Sequence, residues 1–180
     1  MKTGITLLML LCSMTLVHAQ KAQLLFYGVV EEGMLPETKP SDGKDSRRNN
    51  KALTQVNVMV YAAGELVSST STKENGFYGV LLKTGANYEV VFEKDGYFSK
   101  TYVMNCKSIQ HPADASALKC PMDIDLYKSL DNAELKEMCK KPYGICSVNQ
   151  HEMKWNKEAM TEHRKKFYEV AVPLYQVNEH

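Results

Sequence analysis

The chain of 180 residues lacks the short motifs that identify common enzymes and nucleotide-binding proteins. It has no phosphate-binding loop of the form G-x-x-x-x-G-K-[ST], no dinucleotide-binding G-x-G-x-x-G and no G-x-S-x-G nucleophile elbow. It also lacks H-x-x-x-H, H-E-x-x-H and C-x-x-C, the spacings that mark zinc sites. We therefore expect no catalytic residue, no cofactor and no metal site, and we predict that the protein is not an enzyme.

The chain also carries little net charge. Its 22 basic residues stand against 21 acidic residues, and removal of an N-terminal leader whose one charged residue is Lys2 leaves 21 against 21. A neutral domain has no electrostatic footprint for nucleic acid or for an anionic membrane. The composition therefore argues against nucleic acid and anionic membrane as partners. We expect a protein partner instead, with a glycan as the alternative.

A single long apolar run, Ile5–Val17, follows the positive charge of Lys2. The run is too short to span a bilayer comfortably, and small or aliphatic side chains precede Gln20, where a signal peptidase would cleave. Residues 1–19 are therefore predicted to be a signal peptide. The mature chain is expected to be exported to the periplasm or the cell surface, without a transmembrane segment. Lipid attachment at Cys12 is disfavoured, because leucines rather than small residues precede it.

Polar and apolar side chains alternate along several short segments that are separated by turn residues. The segment Gln55–Tyr61, for example, places its three valines on one face. This period of two is typical of strands with one buried face, and many short strands with regular turns favour a β-sandwich. Seven strands are predicted, near residues 23–32, 55–61, 65–72, 76–82, 88–94, 97–105 and 121–128.

The dipeptides Asn75-Gly76 and Asp95-Gly96 each lie between two predicted strands. Such pairs are favoured in type I′ hairpin turns, which need positive φ at both central residues. We interpret both as structural turns that need no ligand to explain them.

These residues carry a resemblance to a known family. The order "VNVMVY", "GELVSSTSTKENGFYGVLL" and "YEVVFEKDGYFSKTYV" is similar to the carboxypeptidase-regulatory-like domain, a transthyretin-like sandwich, over residues 23–127. The resemblance implies a seven-stranded antiparallel sandwich that serves as a non-catalytic accessory in the Gram-negative cell envelope, in a fold sometimes grouped with carbohydrate-binding modules. The residues that match the family pattern are Thr72, Gly76, Tyr78, Tyr88, Val90, Phe92, Lys94, Gly96 and Tyr97.

The predicted domain organisation is a leader (1–19), a sandwich (20–128) and a short, mostly helical appendage (129–180). A loop at 33–53, rich in Pro, Gly, Ser and charge, interrupts the sandwich. Long loops are usually functional or solvated insertions, so Arg47 and Arg48 are candidate partner contacts.

In the appendage, Asp131 or Asn132 is expected to cap a short helix that ends before Pro142, and a last helix is expected to stop before Pro173. Three aromatic side chains of this tail are candidate partner contacts, and one of them also carries the carbohydrate-binding alternative through stacking on a sugar ring. These residues are Trp155, Phe167 and Tyr168, with Trp155 the candidate for sugar binding.

Four cysteines remain after removal of the leader, and an even number in an exported chain favours disulfides. From the strand layout and the turn at 142–144 we predict the pairs Cys106–Cys120 and Cys139–Cys146.

Weaker candidates for chemistry have simpler explanations. Asp123 and Asp125 are expected on the solvent-facing side of a strand, and His111 and His151 have no metal-ligand spacing. The basic run 163–166 alternates with glutamates on a helix and is interpreted as a solvated face. The sequence therefore predicts an exported interaction protein, with a carbohydrate-binding module as the first alternative and a small hydrolase as the second.

Overall fold

The computed structural model describes residues 23–35, 48–107, 118–149 and 153–178, and for residues 48–50 and 178 it describes the backbone alone. Within these ranges the chain forms eleven strands and two helices. The strands are β1 (Gln23–Gly33), β2 (Arg48–Ala52), β3 (Asn57–Ala62), β4 (Glu65–Ser71), β5 (Phe77–Lys83), β6 (Asn87–Glu93), β7 (Lys100–Asn105), β8 (Leu118–Pro121), β9 (Ile124–Leu126), β10 (Gly144–Val148) and β11 (Met153–Trp155). The helices are α1 (Ala133–Cys139) and α2 (Lys157–Asn178).

The strands form two sheets, both of mixed direction. In the first sheet β1 pairs with all four other strands, antiparallel to β2 and β5 and parallel to β8 and β9. The second sheet has the order β11-β10-β7-β6-β3-β4 and is antiparallel except where β10 runs parallel to β7. The prediction of a mainly β protein is confirmed, whereas the seven-stranded antiparallel arrangement is not what the structure shows.

The two sheets face each other across an aromatic core. Phe26 and Tyr78 of the first sheet meet Phe92 of the second, with ring centroids 6.4 Å and 4.9 Å apart, and Phe92 in turn meets Tyr102 at 6.0 Å. All three contacts are edge-on, which is the favoured geometry for buried rings. The Tyr78 hydroxyl donates to the carbonyl of Met122, so the polar end of the ring is satisfied at 2.7 Å. The predicted β-sandwich is confirmed at this level.

The two predicted turns differ from expectation. Gly76 (φ 72°) and Gly96 (φ 80°) adopt the left-handed region, but Asn75 and Asp95 do not, so neither turn is type I′. The Asn75-Gly76 turn also joins strands of different sheets, since β4 pairs with β3 and β5 with β1. In the described part of the chain, the hairpin with positive φ at both central residues lies at Ala63 (51°) and Gly64 (84°), between β3 and β4. The turn residues therefore identified where the chain reverses direction, but they did not identify which strands pair.

The C-terminal tail is part of the packed structure. Asn132 caps α1 as predicted, with its side chain accepting from the Leu135 amide at 2.9 Å. A second core cluster joins the tail helices to the end of the sandwich. Its buried residues are Phe98, Tyr127, Leu135, Phe167, Tyr168, Ala171 and Val172. No helix in the described ranges is long and apolar enough to cross a membrane.

The prediction that the last helix stops before Pro173 is wrong, because α2 continues to Asn178. A proline inside a helix removes one backbone hydrogen bond. Here Val172 is buried on one side of Pro173, and Leu174 and Tyr175 pack against the second cluster on the other. The Tyr175 hydroxyl also donates to the Lys128 carbonyl. Tertiary packing on both sides of Pro173 therefore outweighs the tendency of proline to end a helix.

Two glycines give a matched test of how closely β1 packs against residue 122. A Cβ added to Gly28 in β1 would lie 1.9 Å from the Met122 carbonyl oxygen, whereas one added to the exposed Gly79 in β5 would meet nothing closer than 3.7 Å. We expect Gly28→Ala to lower the free energy of unfolding by about 3 kcal/mol, because backbone must move to relieve the clash. Gly79→Ala is the control and should change it by less than about 0.5 kcal/mol. Denaturant unfolding measures both, and equal effects would contradict the close approach of β1 to residue 122.

Candidate functional site

An apolar stripe crosses the outer face of the second sheet. Side chains opposite one another on neighbouring strands share a face, so the strand registers define two rows of adjacent residues. The first row runs Ile145, Val103, Glu89, Tyr61 and Leu66 across five strands. The second row runs Thr101, Val91, Met59 and Ser69. At normal strand spacing the first row is roughly 20 Å long. We call these nine residues the outer-face stripe.

The outer-face stripe is apolar and accessible. Six of its nine residues are apolar or aromatic, and Glu89 is its one charged residue. Leu66 is 55% exposed and Ile145 38% exposed, and the other apolar members are half-buried. In the described part of the chain, none of these six side chains belongs to either core cluster or packs against one. A partner that binds these side chains would displace none of their contacts with the two core clusters.

Strand β4 forms one edge of the same sheet and is exposed along its whole length. Ser68 and Thr70 pair with the buried Val60 and Val58, so they point to the inner face, yet they too are exposed. The first sheet therefore does not extend over β4. In the described ranges β4 pairs only with β3, which leaves a row of backbone groups able to accept another strand.

A polar groove of about 470 Å³ opens beside the turn at residues 94–97. It is lined by amide, carboxylate and hydroxyl groups together with the half-buried ring of Tyr97. Gln55 lies at its wall with a positive φ of 56°, which is uncommon for a residue other than glycine and is found at binding sites more often than elsewhere. The groove suits a small polar ligand. Its lining residues are Gln55, Asn57, Glu93, Lys94, Asp95, Gly96, Tyr97 and Ser99.

Tyr97 also belongs to a buried charge network behind this groove. Its hydroxyl donates to the Glu32 carboxylate at 2.8 Å, and Lys51 and Lys128 reach the same carboxylate at 3.1 Å and 3.5 Å. Burial opposes ionisation of Glu32, but the hydrogen bonds from Tyr97 and Lys51 hold its pKa below the usual value. Burial and the Glu32 hydrogen bond raise the pKa of Tyr97 to about 12. The network fixes the tyrosine at the groove in its neutral form.

A second, smaller cavity lies under α2 and holds a buried lysine. Lys100 is 8% exposed, and its ammonium lies 4.3 Å from the ring centroid of Tyr143 and 4.8 Å from that of Tyr127. Two aromatic faces stabilise a cation by their negative quadrupoles. The cavity encloses about 20 Å³, enough for one water-sized molecule and too little for an organic ligand. We therefore interpret the cavity and its lysine as part of the contact that holds the tail against the sandwich.

The predicted partner contacts in the tail do not face solvent. Phe167 and Tyr168 are 5% and 1% exposed, and the Tyr168 hydroxyl shares a hydrogen bond of 2.8 Å with Tyr127. Trp155 is half-buried with its ring 5.8 Å from that of Tyr102 and 6.4 Å from that of Phe26. Phe167 and Tyr168 hold the tail in place and lack the exposure that a partner contact would need, whereas Trp155 keeps part of its surface accessible. Large aromatic side chains in a sequence are as typical of core residues as of contact residues.

Some of the other predicted sites lie outside the residues that the structure describes. Arg47 is one of these, as are residues 1–22, most of the 33–53 loop, and His111 and His151. The backbone of Arg48 begins β2, and its side chain is not described. Asp123 accepts a hydrogen bond from the Val29 amide at 3.1 Å, which gives it a structural role between β1 and the turn before β9. Among the described residues no group of three or more acidic, histidine or cysteine side chains could hold a metal ion.

The cysteines are arranged differently from the predicted pairs. Cys106, Cys120 and Cys146 all belong to the first core cluster, whereas Cys139 packs against the second. All four have free thiols in the structure, and the Cys120 thiol contacts Cys146. The predicted Cys139–Cys146 bond does not fit this placement, because Cys139 lies on α1, near Lys100 and Tyr175.

Comparison with known proteins gives no family. No protein-family model matches the chain, and no curated protein matches it. Solved structures that resemble it include the Bacillus anthracis TIE protein (TM-score 0.39, 14% identity, 59% of this chain and 18% of that one). They also include the 3-chlorocatechol 1,2-dioxygenase of Rhodococcus opacus 1CP (0.38, 14%, 61% and 61%) and the shaft pilin spaA of Lactobacillus rhamnosus GG, E269A mutant (0.38, 10%, 65% and 57%). This chain spans less than two thirds of each of them, and at these TM-scores the likeness carries no argument about function.

The electrostatics around the small cavity predict a pH dependence. Burial, and then the charges of Lys100, Lys141 and Lys166, lower the pKa of His163 below its usual value. The folded state therefore disfavours the protonated ring. This residue leaves stability intact above pH 6.5, reduces it as the pH falls from 6.5 towards the lowered pKa, and adds no further loss below that pKa. We expect denaturant unfolding to show a smaller loss between pH 7.5 and 5 for His163→Gln than for the wild type.

A second pair of variants checks that a nearby lysine charge lowers the pKa of His163. Lys100→Met should raise the pKa of His163, followed by NMR titration, because one of the cations that lower it is removed. Lys136→Met serves as the control, since Lys136 pairs with the exposed Asp131 at 2.6 Å. An unchanged pKa in Lys100→Met would show that the lysine does not face the imidazole.

Proposed function

We propose that this chain is an exported, non-catalytic accessory protein of the cell envelope that binds a protein partner through the outer-face stripe. The observation that carries the proposal is the mostly apolar row, interrupted by Glu89, that crosses five strands of the second sheet and packs against neither core cluster of the described residues. Contiguous apolar patches bordered by polar residues are typical of protein interaction sites. Tyrosine and methionine, both present in the stripe, are enriched at the centres of such interfaces.

We further infer that the sandwich is of the carboxypeptidase-regulatory-like type. The residues that match that pattern have structural hydrogen bonds that explain why the pattern needs them. Thr72, for example, is buried and donates to the Leu53 carbonyl at 2.7 Å while accepting from the Val56 amide at 3.0 Å. The Tyr88 hydroxyl donates to the Lys83 carbonyl at 2.8 Å. These bonds support the resemblance as one of fold, and the accessory role follows from it by analogy alone.

Site-specific photo-cross-linking in cells that export the protein tests the interaction. A p-benzoyl-phenylalanine at Tyr61 of the outer-face stripe should give one discrete adduct with another protein. The same probe at Phe77, a half-buried aromatic of the first sheet, should give none. Adducts of equal yield at both positions, or none at Tyr61, would remove the stripe as the binding surface, and an adduct with a second copy of this chain would replace the proposed partner by self-association.

A matched pair of leucines supplies the control. Leu66 and Leu81 are each 55% exposed, but Leu66 belongs to the stripe and Leu81 to the opposite sheet. Leu66→Lys should lower the yield of the Tyr61 adduct by about tenfold, because a charge would be desolvated at the contact. Leu81→Lys should leave the yield unchanged, and a similar loss in both variants would contradict the proposal.

In the same cells, a mature protein that begins at Gln20 would support the export step, and a retained leader would oppose it.

A second candidate function is carbohydrate binding, and the polar groove at residues 94–97 favours it. Its volume of about 470 Å³ lies in the range of small-molecule sites, and its amide and carboxylate groups match the hydroxyl groups of a sugar. Trp155, the residue that the sequence suggested for this role, is half-buried and packs against the core of the sandwich, outside the lining of this groove.

A glycan array distinguishes this function from the first. Binding through the groove should be lost, by about tenfold or more in affinity, in Asn57→Ala and Glu93→Gln, since an unpaired sugar hydroxyl is costly. Glu65→Gln, at the exposed far end of β4, is the control and should bind like the wild type. Retention of no glycan by the wild type, or equal loss in the control, would discard the carbohydrate function.

A further inference from the structure

Three of the four described cysteines meet in the core between the two sheets. Cys120 lies on β8 of the first sheet, level with Phe26, and Cys146 lies on β10 of the second sheet, level with Met104. Cys106 follows the end of β7, beside Cys146. Each is at most 1% exposed. We propose that Cys120 and Cys146 form a disulfide that joins the two sheets and fixes β10 to the sandwich.

The geometry selects this pair over the two that involve Cys106. The hydrogen-bonding contact of Cys120 is with Cys146, and Cys106 acts on Cys120 only as a weaker electrostatic influence, so the predicted Cys106–Cys120 bond lacks this direct contact. The thiols of Cys120 and Cys146 are in hydrogen-bonding contact across the space between the sheets. Cys106 and Cys146 lie on neighbouring strands of one sheet, two residues out of register, because Cys146 is level with Met104. Normal strand spacing and rise separate such diagonal Cα atoms by roughly 8 Å. A disulfide needs a Cα separation below about 7 Å, so the bond within the sheet would require backbone movement.

The protonation of the thiols agrees with the same assignment. The hydrogen bond from Cys120 lowers the pKa of Cys146 and raises that of Cys120, while burial raises the pKa of Cys106 to about 12. Cys146 is therefore the sulfur best able to act as the attacking thiolate, and Cys106 stays a thiol. Cys139, whose pKa burial raises to about 11, lies outside this cluster.

The bond forms by exchange with a disulfide donor such as oxidised glutathione or a protein disulfide oxidant. Cys120 first attacks the donor, which releases one donor thiol and leaves a mixed disulfide. The Cys146 thiolate then attacks the Cys120 sulfur; the new Sγ–Sγ bond forms as the mixed disulfide breaks, and the second donor thiol leaves. The two cysteines lose two electrons and two protons, which the two released thiols carry. Both sulfurs are buried in the folded protein, so the donor reacts with Cys120 during folding, and the closing attack by Cys146 follows as the two sheets bring the sulfurs together.

Refolding in a glutathione redox buffer tests the pairing without depending on export. The full chain is reduced and denatured, refolded with oxidised and reduced glutathione, alkylated and digested with trypsin. Each of the four cysteines that follow the predicted leader falls in its own tryptic peptide, with Cys106 in 101–107, Cys120 in 120–128, Cys139 in 137–140 and Cys146 in 141–154. The expected product links 120–128 to 141–154. A dominant link through 101–107 or 137–140, or four alkylated cysteines, would overturn the proposal.

The response to reductant distinguishes the bond from ordinary packing. With 25 residues between the cysteines, reduction should lower the melting temperature by roughly 5–15 °C. The reductant should act only when denaturant is present, because the sulfurs are buried. Cys146→Ala should lose this response, while Cys139→Ala should keep it. Because each variant is compared with itself before and after reduction, the packing cost of the substitution cancels; a full response in Cys146→Ala would contradict the assignment.

Discussion

The buried ring of Tyr102 is the contact on which the rest of the structure depends. It meets Phe92 at 6.0 Å within the sandwich, and Trp155 at 5.8 Å and Tyr143 at 5.7 Å in the tail. One side chain of β7 thus packs at once against the aromatic core and against the two ends of the added strands β10 and β11. Edge-on contacts between rings add to the area that they bury. Their combined effect makes the tail a continuation of the second sheet.

This continuity changes how the candidate surface must be understood. Ile145, one end of the outer-face stripe, comes from β10 of the tail, and Leu66, the other end, comes from β4 of the sandwich. A chain cut at Lys128 would lose two strands, both helices and part of the stripe together. Its loss of binding would therefore report the loss of structure rather than the loss of a separate docking element. Substitutions that keep both sheets intact are the informative changes.

The sequence predicted what local pattern controls. Alternation identified β3, β5 and β6, and the sequence offered Asp131 or Asn132 as the cap of α1, of which Asn132 is the residue that caps it. The parallel pairing of β10 with β7 could not be predicted, since about forty residues separate the two strands and a five-residue strand gives little period.

The same limit applied to the sites. Neighbours in the sequence suggested Cys139 as the partner of Cys146, whereas the fold brings Cys120 to it from the other sheet. The stripe was missed because its residues come from five strands, and each strand alone shows only one or two of them. Glu32 and Lys100 were missed for a different reason. A charged residue in a strand pattern is normally placed on the solvent-facing side. Only the assembled structure shows the tyrosine that donates to Glu32 and the two tyrosine rings that contact Lys100.

The two links between the sheets would act on different states of the chain. The rings that meet across the sheets, Phe26 and Tyr78 with Phe92 and Phe26 with Trp155, stabilise the folded form, because their contacts exist only after both sheets have assembled. A Cys120–Cys146 bond would instead restrict the unfolded chain, by closing a loop that contains α1 and the start of β10. The aromatic contacts explain why the tail strand lies where it does, and the bond would keep it from separating when the core loosens. An exposed sheet whose edge is open to partners gains from such a restraint, since a detached β10 would uncover the backbone of β7 as a second free edge.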